Sequence, residues 1–287
     1  MQRMTGKRTT PANGKLNHIR HLALDMDGTI YQGQTIFPAT LPFLDLLGRL
    51  GIGFTFLTNN PSKSNADYHA KLRGMGIKTQ PDQLYTSTQS TIEYLKENRP
   101  ELKKLFVLGT PSMAKTFAKA GYSLLRDHPA QQPDAVVVGF DLTLTYARLC
   151  RAAWWITRGV PYFATNPDAV CPTDKPTVLV DCGSITAALE RATGRPPTAV
   201  LGKPDVAMLR GILRRHSLQP HELAMVGDRL YTDIAMARHA GATGVLVLTG
   251  ETTAAQAAAT RPQPDLIVSG LAELGRQLAL NRAQGAL

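Results

Sequence analysis

The chain alternates short apolar runs with longer segments in which apolar residues recur every three or four positions. The short runs are typical of buried strands, and the periodic segments are typical of amphipathic helices. The predicted strands are 19–24, 53–57, 198–201, 222–226, 244–248 and 266–268. The predicted helices between them are 41–50, 204–216 and 233–241. Strands that alternate with helices indicate an α/β fold with a parallel sheet covered on both faces.

Capping residues set the expected helix boundaries. Gly51 ends the helix at 41–50. Asn60, followed by Pro61, is predicted to cap the helix after the second strand. Pro204 opens a later helix in the same way.

The long segment between 57 and 198 predicts a second domain. It holds predicted strands at 105–108, 135–139 and 162–165 and predicted helices at 146–157 and 185–192. A block of this size can bury its own core, and Trp154 and Trp155 are expected to serve that core or an interface. We therefore expect a tail at 1–18, a core domain at 19–83 and 199–287, and an inserted domain at 84–198.

Composition narrows the class of protein. Hydrophobic residues make up 43% of the 287 residues, which is enough for a folded core. No apolar run approaches the roughly 18 residues of a membrane helix, and no signal-peptide pattern is evident. The three cysteines lack CxxC spacing, which favours reduced thiols. We expect a cytoplasmic protein without a membrane partner.

The net charge of +10 is concentrated at one end of the chain. Residues 1–21 hold five basic residues and no acidic residue, which is half of the excess. This stretch also contains Thr, Pro, Gly and Asn, so we expect the tail to be disordered. A basic tail could bind nucleic acid, but no aromatic-studded basic surface accompanies it, and a solvated leader is the favoured interpretation.

Polar residues whose side chains could take part in catalysis or binding follow directly after several predicted strands. They are Asp25, Asp27, Thr58, Asn59, Lys203, Asp228 and Asp233. Each has a structural alternative as an acidic turn, a capping hydroxyl, a surface charge or an N-cap. In open α/β sheets, however, ligands bind outside the carboxyl ends of the strands. Their common placement therefore predicts one site assembled from distant segments.

Asp25 and Asp27 carry the strongest single signal in the chain. On an extended strand, residues two apart point to the same face, so we expect the two side chains to project together. Two carboxylates that close together need a cation, a shared proton or an incoming substrate to be tolerable.

These motifs, in this order, resemble those of the haloacid dehalogenase (HAD) superfamily of phosphotransferases. Residues 25–29 fit the DxDGT signature, and residues 227–233 fit GDxxxTD. Thr58 and Lys203 fit the second and third motifs, and 144 residues separate them. A large insert at this place is similar to subfamily IIA, the NagD and nitrophenylphosphatase-like branch with a C2-type cap. The resemblance implies a Rossmann-like core with an inserted α/β cap.

The resemblance also implies a Mg²⁺-dependent phosphomonoesterase. Asp25 would attack phosphorus to form an aspartyl-phosphate, and Asp27 would protonate the leaving oxygen and then activate water. The implied metal ligands are Asp25, Asp228 and the backbone carbonyl of Asp27. Thr58, Asn59 and Lys203 would bind the phosphate, with Asp233 supporting Lys203 or the metal's water shell.

The substrate is less well determined by the sequence. By resemblance, Phe140, Asn166 and Asp168 of the cap would contact the leaving group, although Phe140 could stack on a ring or pack the cap. Cys171-Pro172 stands where pyridoxal phosphatase relatives have His-Pro, which disfavours that substrate. Residues 166–168 resemble those of the bacterial nucleotide phosphatases, and this resemblance implies a nucleoside monophosphate such as UMP, with phosphoglycolate, a sugar phosphate or pyridoxal phosphate as alternatives.

Two hypotheses from other classes stay open at this point, and so does the assembly. The chain could be a silent phosphate-binding regulator, although no motif residue is missing, or a nucleic-acid-associated protein that uses its tail. The partner of the enzyme would be a small phosphorylated metabolite, and a homodimer is a possible assembly.

The first prediction concerns the nucleophile. Asp25→Asn keeps the shape of the side chain but removes the attacking charge, so turnover of 4-nitrophenyl phosphate should vanish while the fold survives. The measurement is kcat together with circular dichroism. A variant that kept a near wild-type kcat would contradict the assignment.

Overall fold

The computed structural model describes residues 12–173 and 175–285. They form two compact units. The first unit comprises 12–32, Ile36–Phe54 and 217–285, and the second comprises Gly33–Thr35, 55–173 and 175–216. The predicted inserted domain, 84–198, falls within the second unit, and its bounds stay a prediction. Residues 1–11 of the predicted tail lie outside the described residues.

The secondary structure alternates between strands and helices, as expected for an α/β fold. The strands are β1 (His21–Asp25), β2 (Tyr31–Gln32), β3 (Thr35–Ile36), β4 (Gly53–Thr58), β5 (Leu84–Thr86), β6 (Lys104–Leu108), β7 (Ser123–Leu124), β8 (Ala135–Val138), β9 (Tyr162–Ala164), β10 (Val170–Cys171), β11 (Leu179–Val180), β12 (Ala199–Val200), β13 (Leu223–Gly227), β14 (Thr243–Val247) and β15 (Leu266–Val268). The α-helices are α1 (Ala12–Lys15), α2 (Thr40–Arg49), α3 (Asn65–Gly74), α4 (Ser87–Asn98), α5 (Pro111–Lys119), α6 (Tyr146–Thr157), α7 (Cys182–Thr193), α8 (Ala207–His216), α9 (Ala235–Ala240), α10 (Ala254–Ala259) and α11 (Leu271–Gly285). None of the helices in the described ranges is long and apolar enough to cross a membrane.

Parallel strands form the centre of the first unit, in the order β15, β14, β13, β1. Every residue of β1, β13 and β14 is buried, as expected for parallel strands covered on both faces. The prediction of a parallel α/β fold is confirmed. Leu24 of β1 lies opposite Val226 of β13, so Asp25 and Asp228 follow neighbouring strands at the same edge of the sheet.

Residues 12–18, predicted to belong to a disordered tail, are folded. They form α1 and a 3-10 turn, and Leu16 is 2% exposed. Lys15 forms an ion pair with Asp265. Burying one such apolar side chain contributes about 1.5–3 kcal/mol. The prediction was wrong here because it relied on the charge and composition of the stretch and did not consider that Leu16 could be buried.

The second unit contains a pair of parallel strands, β4 and β5, and a five-stranded parallel sheet in the order β12, β9, β8, β6, β7. Alternate residues of the central strands enter two different cores. One core includes Phe106, Val136, Tyr162, Trp155 and Leu189. The other includes Leu105, Val137, Phe163, Met113 and Phe117. The insert therefore buries its own cores, as its length predicts.

The two neighbouring tryptophans have different environments. Trp155 belongs to a core, whereas Trp154 is 47% exposed and carries the guanidinium of Arg158 at 5.3 Å from its ring centroid. Trp155 therefore serves the core, and an interface role for Trp154, the other predicted alternative, stays a prediction.

The helix after β4 begins later than the capping signal predicted. α3 starts at Asn65 with Ser64 as its N-cap, and Ser64 and Asp67 form a reciprocal capping box. Asn60 instead makes a local turn, in which its Oδ1 accepts the Ser62 N–H at 2.9 Å. The capping box prevails because it satisfies two backbone N–H groups at once.

The second prediction tests the core beneath α5. Phe117→Ala should destabilise the fold by about 3–5 kcal/mol, because it leaves a cavity in a fully buried position. Lys115→Ala, at an exposed position of the same helix, is the matched control and should change stability by about 0.5 kcal/mol or less. Urea unfolding followed by circular dichroism measures both. Equal effects of the two variants would contradict the assignment of this core.

Candidate active site

Three buried carboxylates meet at the edge of the sheet in the first unit. Asp25 ends β1, Asp228 follows β13, and Asp233 lies one turn further on; one oxygen from each lies within 4.8 Å of the others. Their exposures are 7%, 3% and 0%. Carboxylates so close together repel one another, and this repulsion makes the group a natural cation site.

A π-helical turn places Asp233 in this group. The turn covers Leu230–Ile234, directly before α9. The backbone N–H of Arg229 donates to Asp233 Oδ2 at 3.2 Å and fixes the carboxylate. A Cβ atom at Gly227 would clash with this carboxylate, so the GD pair of the motif needs its glycine. Single π-turns are frequent at functional sites because they redirect a side chain within a helix.

Arg229 supplies positive charge beside the carboxylates, and the sequence analysis missed it. Its Nε pairs with Glu251 Oε2 at 2.9 Å. Burial alone would lower the pKa of the guanidinium, but electrostatic interaction with Tyr231 and with the carboxylates of Glu251, Asp228 and Asp25 outweighs that effect and raises the pKa. Arg229 therefore stays cationic. The available signal was a basic residue directly after the motif aspartate Asp228.

Asp27 lies in the turn after β1 rather than on the strand. β1 ends at Asp25, and Asp27 forms an isolated bridge with Tyr31. The strand is therefore shorter than the expectation assumed, and the joint projection of the two side chains stays a prediction. Within the described part of the chain, the carboxylate group does not include the Asp27 side chain. The backbone carbonyl of Asp27 stays its predicted metal ligand.

The carboxylate group fits a hard divalent cation. Oxygen ligands are those that Mg²⁺ and Ca²⁺ prefer, and among the described residues this is the one such group of His, Cys, Asp or Glu side chains. A Cβ at Gly28 would lie 2.5 Å from Asp228 Oδ2, so the backbone of the turn after β1 packs directly against this carboxylate. Gly28 has φ +85°, a conformation that glycine adopts without strain.

In the second unit, Asn59 binds the backbone of Lys203 with both ends of its side-chain amide. Asn59 Oδ1 accepts the Lys203 N–H at 2.7 Å, and its Nδ2 donates to the Lys203 carbonyl at 3.0 Å. Thr58 ends β4 and accepts the Asn60 N–H at 3.2 Å through its Oγ1. The predicted residues Asn59 and Lys203 are therefore in contact. The side chain of Asn59 is hydrogen-bonded to the protein backbone at both ends of its amide.

The same network includes the predicted cap residues Asn166 and Asp168. Asp168 Oδ2 accepts from Asn59 Nδ2 at 2.8 Å and from Asn166 Nδ2 at 3.1 Å. Asn166 Nδ2 also donates to Asp181 Oδ1 at 3.2 Å, and its Oδ1 accepts the Thr165 hydroxyl at 3.0 Å. Asn166 is fully buried. The predicted contact of these residues with a leaving group stays a prediction.

Phe140 is also buried, with 2% of its surface exposed. Its neighbour Asp141 is buried too and pairs with Arg148 at 2.7 Å. Of the two alternatives for Phe140, stacking on a substrate ring or packing the cap, its burial favours packing.

Known proteins are similar to this chain in sequence and in structure. A family profile described as haloacid dehalogenase-like hydrolase matches residues 22–123, and a HAD-hydrolase-like profile matches 200–274. An acid sugar phosphatase of Staphylococcus epidermidis is 31% identical over 238 residues, covering 83% of this chain and 90% of that protein.

Two solved structures extend the similarity to the fold. A 4-nitrophenylphosphatase of Thermotoga maritima is 39% identical, with a TM-score of 0.86 over 91% of this chain and 98% of that one. A glycerol phosphate phosphatase of Mycobacterium tuberculosis, solved in complex with magnesium, is 31% identical, with a TM-score of 0.84 over 92% of this chain and 79% of that one.

The fold, the carboxylate group and these similarities define the class of protein. The chain belongs to the haloacid dehalogenase-like hydrolases. Within that superfamily it is a member of subfamily IIA, the branch of NagD and the 4-nitrophenylphosphatases. It is a phosphatase, as the motifs predict.

The third prediction tests the hold of Asn59 on Lys203. Asn59→Asp keeps size and keeps an acceptor for the Lys203 N–H, but it turns an oxygen toward Asp168 and the Lys203 carbonyl. Because small displacements of a binding group are costly, kcat/KM for 4-nitrophenyl phosphate should fall about 10²-fold.

Asn98→Ala, at an exposed asparagine of the same unit, is the control and should leave kcat/KM unchanged. Melting temperatures of both variants exclude unfolding as the cause. If Asn59→Asp kept kcat/KM within twofold of wild type, Asn59 would have no positioning role.

Proposed function

We propose that this phosphatase is a Mg²⁺-dependent phosphomonoesterase that hydrolyses a small sugar or polyol phosphate through an aspartyl-phosphate. The observation that carries the proposal is the buried group of Asp25, Asp228 and Asp233 at the ends of neighbouring strands. Such a group matches the need of phosphoryl transfer for a carboxylate nucleophile beside a cation.

The roles of the first unit follow from its chemistry. Asp25 would attack phosphorus, forming a bond from its carboxylate oxygen while the bond to the leaving oxygen breaks. Asp27 would donate a proton to that leaving oxygen and then take one from the attacking water. Mg²⁺, held by Asp25, Asp228 and the Asp27 carbonyl, would neutralise the repulsion between nucleophile and phosphate.

The roles of the second unit concern the transferred phosphoryl group. Thr58 and Lys203 would stabilise the negative charge that spreads over its oxygens. Asn59 would act through Lys203, because its side chain is bound to the Lys203 backbone. Asp233 would support the metal site, beside which its carboxylate lies.

Three observations support a sugar or polyol phosphate over a nucleotide. The relatives include an acid sugar phosphatase and a glycerol phosphate phosphatase. The sequence argument for UMP depended on 166–168, where the Asn166 and Asp168 side chains bind other residues of the chain. Phe140, the candidate for stacking on a base, is buried. UMP remains the second candidate because the 166–168 segment resembles the bacterial nucleotide phosphatases.

The fourth prediction concerns the substrate. With Mg²⁺ present, kcat/KM should be higher for glycerol phosphate and sugar phosphates than for UMP, phosphoglycolate and pyridoxal phosphate. A difference of about 10–200-fold is the size that one or a few leaving-group contacts can supply. Asp25→Asn, run on every ester, corrects for contaminating phosphatases. A clear preference for UMP would support the nucleotide alternative, and no hydrolysis of any ester would contradict phosphatase activity.

The fifth prediction concerns the metal. EDTA should lower kcat by about 10³-fold or more, because the cation supplies several kcal/mol of charge stabilisation. Mg²⁺ should restore the rate, whereas Ca²⁺ should inhibit, because it favours looser coordination of higher number. Full activity in the chelator would contradict the proposed metal dependence.

A further inference from the structure

The loop Thr249–Thr252 lies outside the four motifs. It contacts Asp228 of the carboxylate group in the first unit. It follows β14 and is fixed at both ends. The Leu248 N–H donates to the Val268 carbonyl at 3.0 Å, and Thr253 caps α10 with a capping box that includes Gln256. Ala257 of α10 packs in a core cluster with Ile234 and Leu246.

Three successive residues of this loop contact Asp228. The Glu251 N–H donates to Asp228 Oδ2 at 2.6 Å, and the Thr252 N–H donates to the Asp228 carbonyl at 3.2 Å. A Cβ at Gly250 would clash with the Asp228 side chain, so the loop lies directly against it. One backbone donor therefore fixes the Asp228 carboxylate, a second fixes its backbone carbonyl, and the bare backbone at Gly250 lets the loop lie against the side chain.

The first residue of the loop holds the turn that carries Asp27. The Thr249 hydroxyl donates to the Gly28 carbonyl at 2.6 Å. On the other side, the Gly28 N–H donates to the Tyr31 carbonyl at 2.8 Å. Because Gly28 N and the Asp27 carbonyl belong to one planar peptide, holding Gly28 on both sides fixes the direction of that carbonyl.

We infer that Thr249–Thr252 is a positioning loop, and that the Thr249 hydroxyl is a positioning group for the metal site. The inference rests on the proposed function, because it assigns to one loop the alignment of two proposed Mg²⁺ ligands, Asp228 and the Asp27 carbonyl. Residues that orient metal ligands by hydrogen bonds typically change metal affinity about 10–100-fold when they are removed.

The test measures Mg²⁺ binding itself, by isothermal titration calorimetry of the full chain without substrate. Thr249→Val keeps the shape but removes the donor to Gly28, and it should raise the Kd for Mg²⁺ about 10–100-fold. Thr249→Ser restores a hydroxyl and should return the Kd to within about threefold of wild type, since both hydroxyls donate alike.

Thr253→Val is the matched control for a purely structural effect. It removes the N-cap of α10 but touches neither Asp228 nor Gly28, so it should lower the melting temperature by a few degrees without changing the Kd. If Thr249→Val bound Mg²⁺ as wild type does, or if serine failed to restore binding, the inference would be overturned and the proposed function would stand. If wild type bound no Mg²⁺, the proposed metal dependence would fail and the inference with it.

Discussion

Electrostatic repulsion among three buried carboxylates is the constraint on which the first unit depends. The oxygens of Asp25, Asp228 and Asp233 lie within 4.8 Å of one another. At such distances, like charges in a poorly solvated place repel one another strongly unless opposite charge or hydrogen-bond donors offset them. The chain supplies the guanidinium of Arg229 and the backbone N–H groups of Arg229 and Glu251. A bound cation would complete the balance.

Parallel strands allow this crowding because they set charged residues at a defined edge. The register of β1 and β13 puts Asp25 and Asp228 past neighbouring strand ends, while the apolar strand residues behind them are buried. The carboxylates are therefore held by the sheet and by loops that follow the strands, rather than by one another. The site depends on the strand register of the fold, because a shift in register would separate the carboxylates of Asp25 and Asp228.

The sequence predicts the parts of this arrangement that depend on local pattern. The strand ends, the motif residues and the helices at 41–50 and 146–157 follow from periodicity and resemblance, and the structure has α2 and α6 there. It does not predict contacts between residues far apart in the chain. Thr249 and Gly28, 221 residues apart, give no pattern that would reveal their hydrogen bond. The Asn60 cap failed for a different reason, since a better capping box competes four residues later.

In the second unit, hydrogen bonds join the segment predicted to select the substrate to the segment predicted to bind the phosphate. A cap that only selected the leaving group would leave the phosphate-binding segment untouched. Here, however, Asp168 is hydrogen-bonded to Asn59, and Cys171 Sγ lies 3.5 Å from Asn60 Nδ2. Both asparagines follow Thr58, and Asn59 also holds the backbone of Lys203.

A substitution in the 166–172 segment is therefore expected to have two separate effects. It would change the side chains that are proposed to contact a leaving group, and it would move the segment that is proposed to bind the phosphoryl oxygens. The first effect depends on the substrate, whereas the second is common to every ester.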